Sequence, residues 1–462
     1  MNLDAPTLRR WLGPRIRELP PLPEGGARGV RFHSDRVRPG DAFFAMAGAR
    51  AHGERFADDA LARGAAFVVS DRPRTGAVLV DDAGAALLDL GRAARAARRG
   101  PVIGVTGSVG KTTSKALLAA ALDAAVSPGN FNTPHALATV LIDAWLDGDL
   151  DRPLVLELGI DHIGEMARLV DLVQPTDGLL TAIAPAHLER LVDVATVARE
   201  KGRLLEAATG VRYAAHDAWR QLAPALRART ERYVLETDLG AGIGAGSSSA
   251  PPPAWTGRFV PGEAHDRVLA RAGGTEVVVD LPGTGRALAT NALGALAMAA
   301  ALGVDPGDAA ERIARARLET GRLTRHHLGA WTLLDDAYNA NPASVAEALE
   351  VLARAPAPHA VVLGAMLELG SESAVHHAAV GRACAERGLA PVWAIGAEAE
   401  PLADACPGAV HLPDVVAAIA RADTLPRRGT LLVKGSRGIG LEALVAHLRA
   451  SAAAAATVEE DR

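Results

Sequence analysis

One segment constrains this chain more than any other: "PVIGVTGSVGKTTSKALLAAALDAA", an apolar run, a turn with glycines at 107 and 110, and then a helical pattern. A strand that ends in such a turn aims successive backbone N–H groups, and the positive end of the next helix, at one point. That point is a cradle for phosphate oxygens. The loop comprises Thr106, Gly107, Ser108, Val109, Gly110, Lys111, Thr112 and Thr113. Lys111 is expected to reach the terminal phosphates of a nucleotide, and Thr112 to offer its hydroxyl to Mg²⁺. Val105 stands where the motif has a further glycine, but the strand before and the helix after supply the context the motif needs. Lys115, one turn on, reads as a surface helix lysine.

A strand–loop–helix unit of this kind belongs to a parallel sheet, and the chain continues the alternation. "PLVLELG" and "DGLLTAIAP" read as further strands with helices between them, so a parallel sheet covered on both faces is expected. Upstream, "DAFFAMAG", "AAFVVS" and "GAVLV" read as strands around the helix "FADDALARGA". Downstream, "WTLLDDAY", "HAVVLGAM", "PVWAIG" and "TLLVKGSRG" read as four strands separated by helices. The 462 residues suit roughly three domains. The expected α/β architecture is a small N-terminal domain over 1–95, a central phosphate-loop domain with a parallel sheet over 96–320, and a Rossmann-like doubly wound domain over 321–462. "TNALGALAMAAALG" reads as a buried helix of small residues, and Gly240–Ala254 as a flexible surface loop.

Composition narrows the function classes. A net charge of -5 gives no electrostatic case for nucleic acid or membrane surfaces. No apolar run is long enough to span a bilayer, and the N-terminus lacks the pattern of a signal peptide. A cytoplasmic protein is expected. Cys384 and Cys406 make neither a metal cluster nor a disulfide framework.

The positive charges carry a sharper signal. Of 49 lysines and arginines only four are lysine: Lys111, Lys115, Lys201 and Lys434. A solvated position would accept arginine, so a lysine suggests chemistry a guanidinium cannot perform. A buried lysine can lose its proton and react, for instance with CO₂ to give a carbamate, whereas arginine stays charged. Lys201, in "VAREKGRLLEA", is the candidate. Ligands gather at the carboxyl ends of parallel strands. There the sequence places Glu157, a carboxylate suited to Mg²⁺, and His187, which alone would read as an ordinary loop histidine. Asp161–Met166 reads equally as a helix cap or as a site.

These stretches together resemble the Mur ligases, the ATP-dependent amide ligases of peptidoglycan synthesis. "TGSVGKTT", "LELG", "AHLE" and Lys201 follow that family's order and spacing. So do "GNFN", "DDAYNANPAS", "LGAMLELG" and "VKGSRGIGLE". The resemblance covers nearly the whole chain. It implies a ligase that joins D-alanyl-D-alanine to a UDP-N-acetylmuramoyl-tripeptide through an acyl phosphate. It also implies ATP, two Mg²⁺ sites, a carbamate on Lys201, and a monomer that binds no nucleic acid and does not insert into membranes. By the same resemblance Lys111, Glu157, His187 and Lys201 are catalytic, and Thr112, Glu157 and His187 hold metal. Asn291, Arg322, Asp336 and Asn339 join the phosphate loop on the nucleotide. Ser34, Arg36, Asn132, Asn341, Lys434 and Arg437 face the other substrates. Several positions depart from the family pattern: His52-Gly53-Glu54 for DGH, Asn132–Ala136 for NNxxG, Gly364-Ala365-Met366 for GDM, Ala287-Leu288 for His-Asn, and Lys201-Gly202-Arg203 for KGE. A Mur-fold ligase acting on another carboxylate, and a phosphate-loop binding protein or inactive relative without ligation, are the competing readings.

Overall fold

Short apolar segments alternating with helices assemble into three sheets. The computed structural model describes residues 1–48, 51–129, 131–185, 188–239, 251–262 and 265–460. His187 and the stretch 240–250 of the expected loop lie outside the described residues.

The first sheet runs Ile16–Glu18, Val78–Val80, Phe67–Ser70, Asp41–Ala45, Gly29–Arg31, and only the Ile16–Glu18 edge is antiparallel. Every residue of "DAFFA" is buried because both faces of its strand are covered. Phe43 and Ala45 join one small cluster with Ala57 and Ala60, while Ala42 and Phe44 face the opposite way into a larger core. That larger core does not stop at the first sheet. It continues through the helix Ala83–Ala97 into Pro134–Leu146 and Glu165–Val173. Gly91 permits the contact, since a methyl there would lie 2.8 Å from the Ala138 side chain.

The second sheet has nine strands. Val102–Thr106, which feeds the phosphate loop, lies between Leu154–Glu157 and Asp177–Leu180, in parallel with both. Parallel pairing extends to Trp255–Val260. There the expected all-parallel arrangement ends, because Arg267–Ala272 and Thr275–Asp280 add an antiparallel hairpin. Its turn is Gly273-Gly274, with φ of 52° and 93°. A pair of left-handed residues makes the two-residue turn whose twist matches antiparallel strands. Across this sheet packs the expected small-residue helix, Arg286–Ala301, where Gly294 lets the Tyr233 ring come within 2.6 Å of a would-be methyl.

The third sheet contains the four expected strands, Trp331–Asp336, His359–Gly364, Val392–Ile395 and Gly429–Lys434. It adds an antiparallel edge, Thr324–Leu328, and a short outer strand, Val410–Leu412. Gly429–Lys434 inserts between Trp331–Asp336 and His359–Gly364, so Asp336 and Lys434 end side by side. Among the described residues no helix is long and apolar enough to cross a membrane.

A polar contact reinforces the shared core. Asp143 accepts from the Val30 N–H at 3.2 Å and the Arg31 guanidinium at 2.7 Å. Burial raises its carboxyl from 3.8 to about 6, against the opposing pull of Arg31. The folded state therefore favours the protonated acid. Its stabilising contribution is complete below the unfolded value and disappears as pH rises through the folded one. Thermal midpoints of wild type and Asp143→Asn, measured from about pH 4 to about pH 7, are expected to diverge with pH. Wild type should lose ground to the variant as pH rises. A constant difference would contradict this account.

Candidate active site

The phosphate loop is held from two sides. A methyl on Gly107 would lie 2.0 Å from Thr181 Oγ1, and one on Gly110 would lie 2.6 Å from Asn291 Oδ1. Gly110 also takes φ 85° as it opens the helix Lys111–Leu122. No side chain fits at either position. Thr181 donates to the Val109 carbonyl at 2.5 Å, the Ser108 N–H to Ala182 O at 2.8 Å, and the Ser108 hydroxyl to Ala184 O at 2.9 Å. Val105 is core, not loop. Thr106 is buried beneath the loop with its hydroxyl on Leu158 O at 2.7 Å. Lys111 folds back over the loop to Gly107 O at 2.9 Å, and burial lowers its ammonium from the ordinary lysine range.

Glu157, 2% exposed, accepts from Thr112 Oγ1 at 2.8 Å. A hydroxyl and a carboxylate so paired are the hard oxygen donors that Mg²⁺ takes. Lys201 lies on the helix Val194–Ala207 and is 1% exposed. Burial, and then the neighbouring Lys111 cation, hold its ammonium well below the ordinary range; Glu157 opposes them. The adjacent Glu200 is buried. It accepts from the Gly164 N–H at 2.8 Å and from Arg203 at 3.0 Å.

Lys115 corrects the reading of a surface lysine. It is 2% exposed, donates to Ser127 O at 3.0 Å and Gly129 O at 2.5 Å, and lies 3.6 Å from Glu157 Oε2. Burial lowers its ammonium too, against Glu157. Its helix face points at the edge of the sheet and not at water.

The third sheet closes the other wall. Lys434 donates to Asp336 Oδ2 at 2.6 Å and to Asn339 O at 2.9 Å. Burial raises the Asp336 carboxyl, and Lys434 lowers it. The other Asp336 oxygen accepts from the Leu323 N–H at 3.1 Å, which sets the backbone beside Arg322. Arg322 reaches across to Thr112 Oγ1 at 2.9 Å and stacks 4.1 Å over the Tyr338 ring. Its buried Nε has no hydrogen-bond partner among the described residues. Arg437 also lies over Tyr338, at 5.1 Å. Asn341 caps the helix Pro342–Ala353 by accepting from the Ser344 N–H.

These walls enclose a cleft of about 1570 Å³ lined by Ser108–Thr113, Asn132, Glu157, Asn291, Arg322, Asp336, Asn339, Asn341 and Lys434. Most sequence-predicted residues thus meet at one place. Ser34, Arg36, Lys201 and Arg437 stand apart from this lining, as do Thr106 and Gly107 at the start of the loop. Ser34 opens the short 3-10 turn Ser34–Arg36, and Arg36 stacks 5.0 Å over Phe131. Glu165 accepts from the N–H groups of Asp161 and His162, at 2.8 and 3.0 Å, which ties the turn ahead of the helix Glu165–Val173; its N-cap residue, Gly164, makes no side-chain cap bond. Sequence reasoning missed Lys115, Tyr338 and Glu200. The scarcity of lysine could have found the first of them.

Family models match along the chain: the Mur ligase family catalytic domain over 27–96, the Mur ligase middle domain over 105–299, and the Mur ligase glutamate ligase domain over 321–437. The UDP-N-acetylmuramoyl-tripeptide–D-alanyl-D-alanine ligase of Escherichia coli K12 is 30% identical over 438 residues, covering 91% of this chain and 93% of its own. A crystal structure of MurF from Acinetobacter baumannii superposes with TM-score 0.82 at 25% identity, covering 96% of this chain and 98% of that one. MurF ligase from Thermotoga maritima in complex with ADP superposes with TM-score 0.77 at 25% identity, covering 92% and 98%.

Lys111→Ala is expected to weaken binding of ADP by at least about tenfold, the scale of one charge-assisted contact, and to leave the fold intact. Calorimetric titration with ADP and a thermal melt of the same sample check both halves. Unchanged affinity would remove the loop from the site.

Proposed function

The chain belongs to the Mur ligase family, and on that premise we propose that it joins D-alanyl-D-alanine to a UDP-N-acetylmuramoyl-tripeptide at the expense of ATP, for peptidoglycan synthesis. The observation that carries this reading is the single cleft in which the phosphate loop faces Arg322, Asp336 and Lys434 of the third sheet. Relatives of that activity match across nine-tenths of the chain.

In the proposed reaction the terminal carboxylate of the tripeptide attacks the γ-phosphorus of ATP, and ADP leaves. The dipeptide amine then attacks the acyl carbon, and inorganic phosphate leaves from the tetrahedral intermediate. The loop N–H groups and Lys111 hold the phosphates, and the Arg322 guanidinium, which reaches Thr112 from the opposite wall, adds its charge. Thr112 and Glu157 fit one Mg²⁺, whose charge would offset that of the transferring phosphoryl group. His187 and a modified Lys201 are proposed for a second. Asn291 is proposed for the adenine. Asp336 and Asn339 are proposed for the nucleotide beside Arg322, Asn341, Lys434 and Arg437 for the dipeptide side, and Ser34, Arg36 and Asn132 for the UDP-sugar side. A monomer is proposed. Nucleotide-linked substrates support work in the cytoplasm.

The surroundings of Lys201 favour a neutral amine, the form that reacts with CO₂. Its lone pair would attack the carbon, one proton would leave, and a buried neutral amine would become a carbamate anion.

Two experiments test this reading. ADP release is expected only when ATP, UDP-N-acetylmuramoyl-tripeptide and D-alanyl-D-alanine are all present. Equal release with unrelated carboxylates and amines would refute the substrate assignment. Lys201→Arg keeps charge but cannot form a carbamate, and should lose at least about a hundredfold in ligation. Lys201→Ala should recover part of its activity with formate or acetate, and a carbamate carbon signal should appear in wild type supplied with labelled CO₂. An active Lys201→Arg enzyme would end the carbamate hypothesis.

A further inference from the structure

Lys115 takes no part in the chemistry above, yet it is buried beside Glu157, which lines the cleft. Burying a long cation costs solvation and rotamer freedom, so its contacts must repay both. An ammonium has three protons, and three acceptors surround this one: Ser127 O, Gly129 O and, at 3.6 Å, Glu157 Oε2. A planar guanidinium cannot point at three such separated acceptors from one atom, which explains a lysine in a chain that otherwise writes arginine.

The two carbonyls follow the edge strand Ala125–Val126, which pairs with Leu154–Glu157. Beyond them the Phe131 N–H returns to Pro128 O at 3.1 Å. Asn132 then packs on Gly159, where a methyl would lie 2.5 Å from its amide nitrogen. Gly159 is two residues past Glu157. The path therefore closes on itself, from Lys115 to the turn, to Asn132, to Gly159, and back to Glu157. Phe131 in turn carries the Arg36 guanidinium of the first sheet's unit.

Resting on the reading that Asn132 and Arg36 face the UDP-muramoyl substrate, we propose that Lys115 is a positioning residue for that substrate. It ties the Ser127–Gly129 turn to the carboxylate beside the phosphate loop. The tie holds Phe131 and Asn132 on the face that receives the UDP-muramoyl substrate. Nothing in this role requires Lys115 to touch ATP.

Lys115→Met keeps the apolar stem and removes the ammonium. Wild-type ADP release that depends on both substrates is the baseline; its absence would count against the ligase reading and not against this one. In the variant, KM for UDP-N-acetylmuramoyl-tripeptide is expected to rise about tenfold to a hundredfold, while KM for ATP stays within about twofold. Independently of turnover, backbone amide exchange should quicken across 127–133 and remain unchanged across 102–113. Equal rises in both KM values overturn the proposal, and so does unchanged exchange across 127–133. Should Lys115→Met fail to fold, Lys115→Arg tests the same split, since it keeps charge beside Glu157 but loses the three-way contact. A split of the same sense supports the proposal, and its absence refutes it.

Discussion

Three of the chain's four lysines converge on one buried carboxylate. Lys111, Lys115 and Lys201 all act on Glu157, and burial lowers each of them. A buried charge persists only when compensated, and here cations outnumber the anion. An excess of positive potential sits where the loop's N–H groups converge, and a polyanion fits there. Conversion of Lys201 to an anion would redistribute that excess toward Lys111 and the phosphates. The sheet order serves this cluster, because Glu157 and the phosphate loop end adjacent parallel strands.

The opposite wall obeys the same rule with different residues. Lys434 and Asp336 neutralise one another in a buried pair, and Arg322, whose Nε lies 3.8 Å from Glu319, is the cation that faces the phosphate loop. Asp336 also holds the backbone next to Arg322, so the pair orients the arginine that crosses to Thr112. Departures from the family pattern are likewise locally balanced. His52 sits 2.9 Å from Asp71, and Glu54 accepts from Ser70 and Arg74 at 2.8 and 2.9 Å. Arg203, standing where the family has glutamate, is matched by Glu200.

What the sequence revealed depended on locality. The phosphate loop, Glu157 and the four strands of the third sheet are written in contiguous residues, and a reader can find them there. The hairpin Arg267–Ala272 with Thr275–Asp280 was missed because its strands alternate exposed charges with apolar residues, unlike the buried runs around it. Lys115 was missed because helix position alone does not tell which face meets the sheet edge; its partners are carbonyls more than ten residues away. Tyr338 gains its role only once two strands lie side by side and bring Arg322 and Arg437 to its ring.

The core that passes from the first sheet through the helices Ala83–Ala97 and Pro134–Leu146 has a thermodynamic meaning. Its members run from Leu3 to Leu204, so the first two sheets cannot lose their packing independently. The third sheet's two clusters draw only on residues beyond 320. Three sheets thus make two cooperative folding units, since cooperativity follows shared buried surface and not sheet count. The seam between those units is the cleft itself. There side-chain bridges such as Arg322 to Thr112, not a continuous apolar core, join the walls, and so the chemistry occupies the boundary where opening costs least.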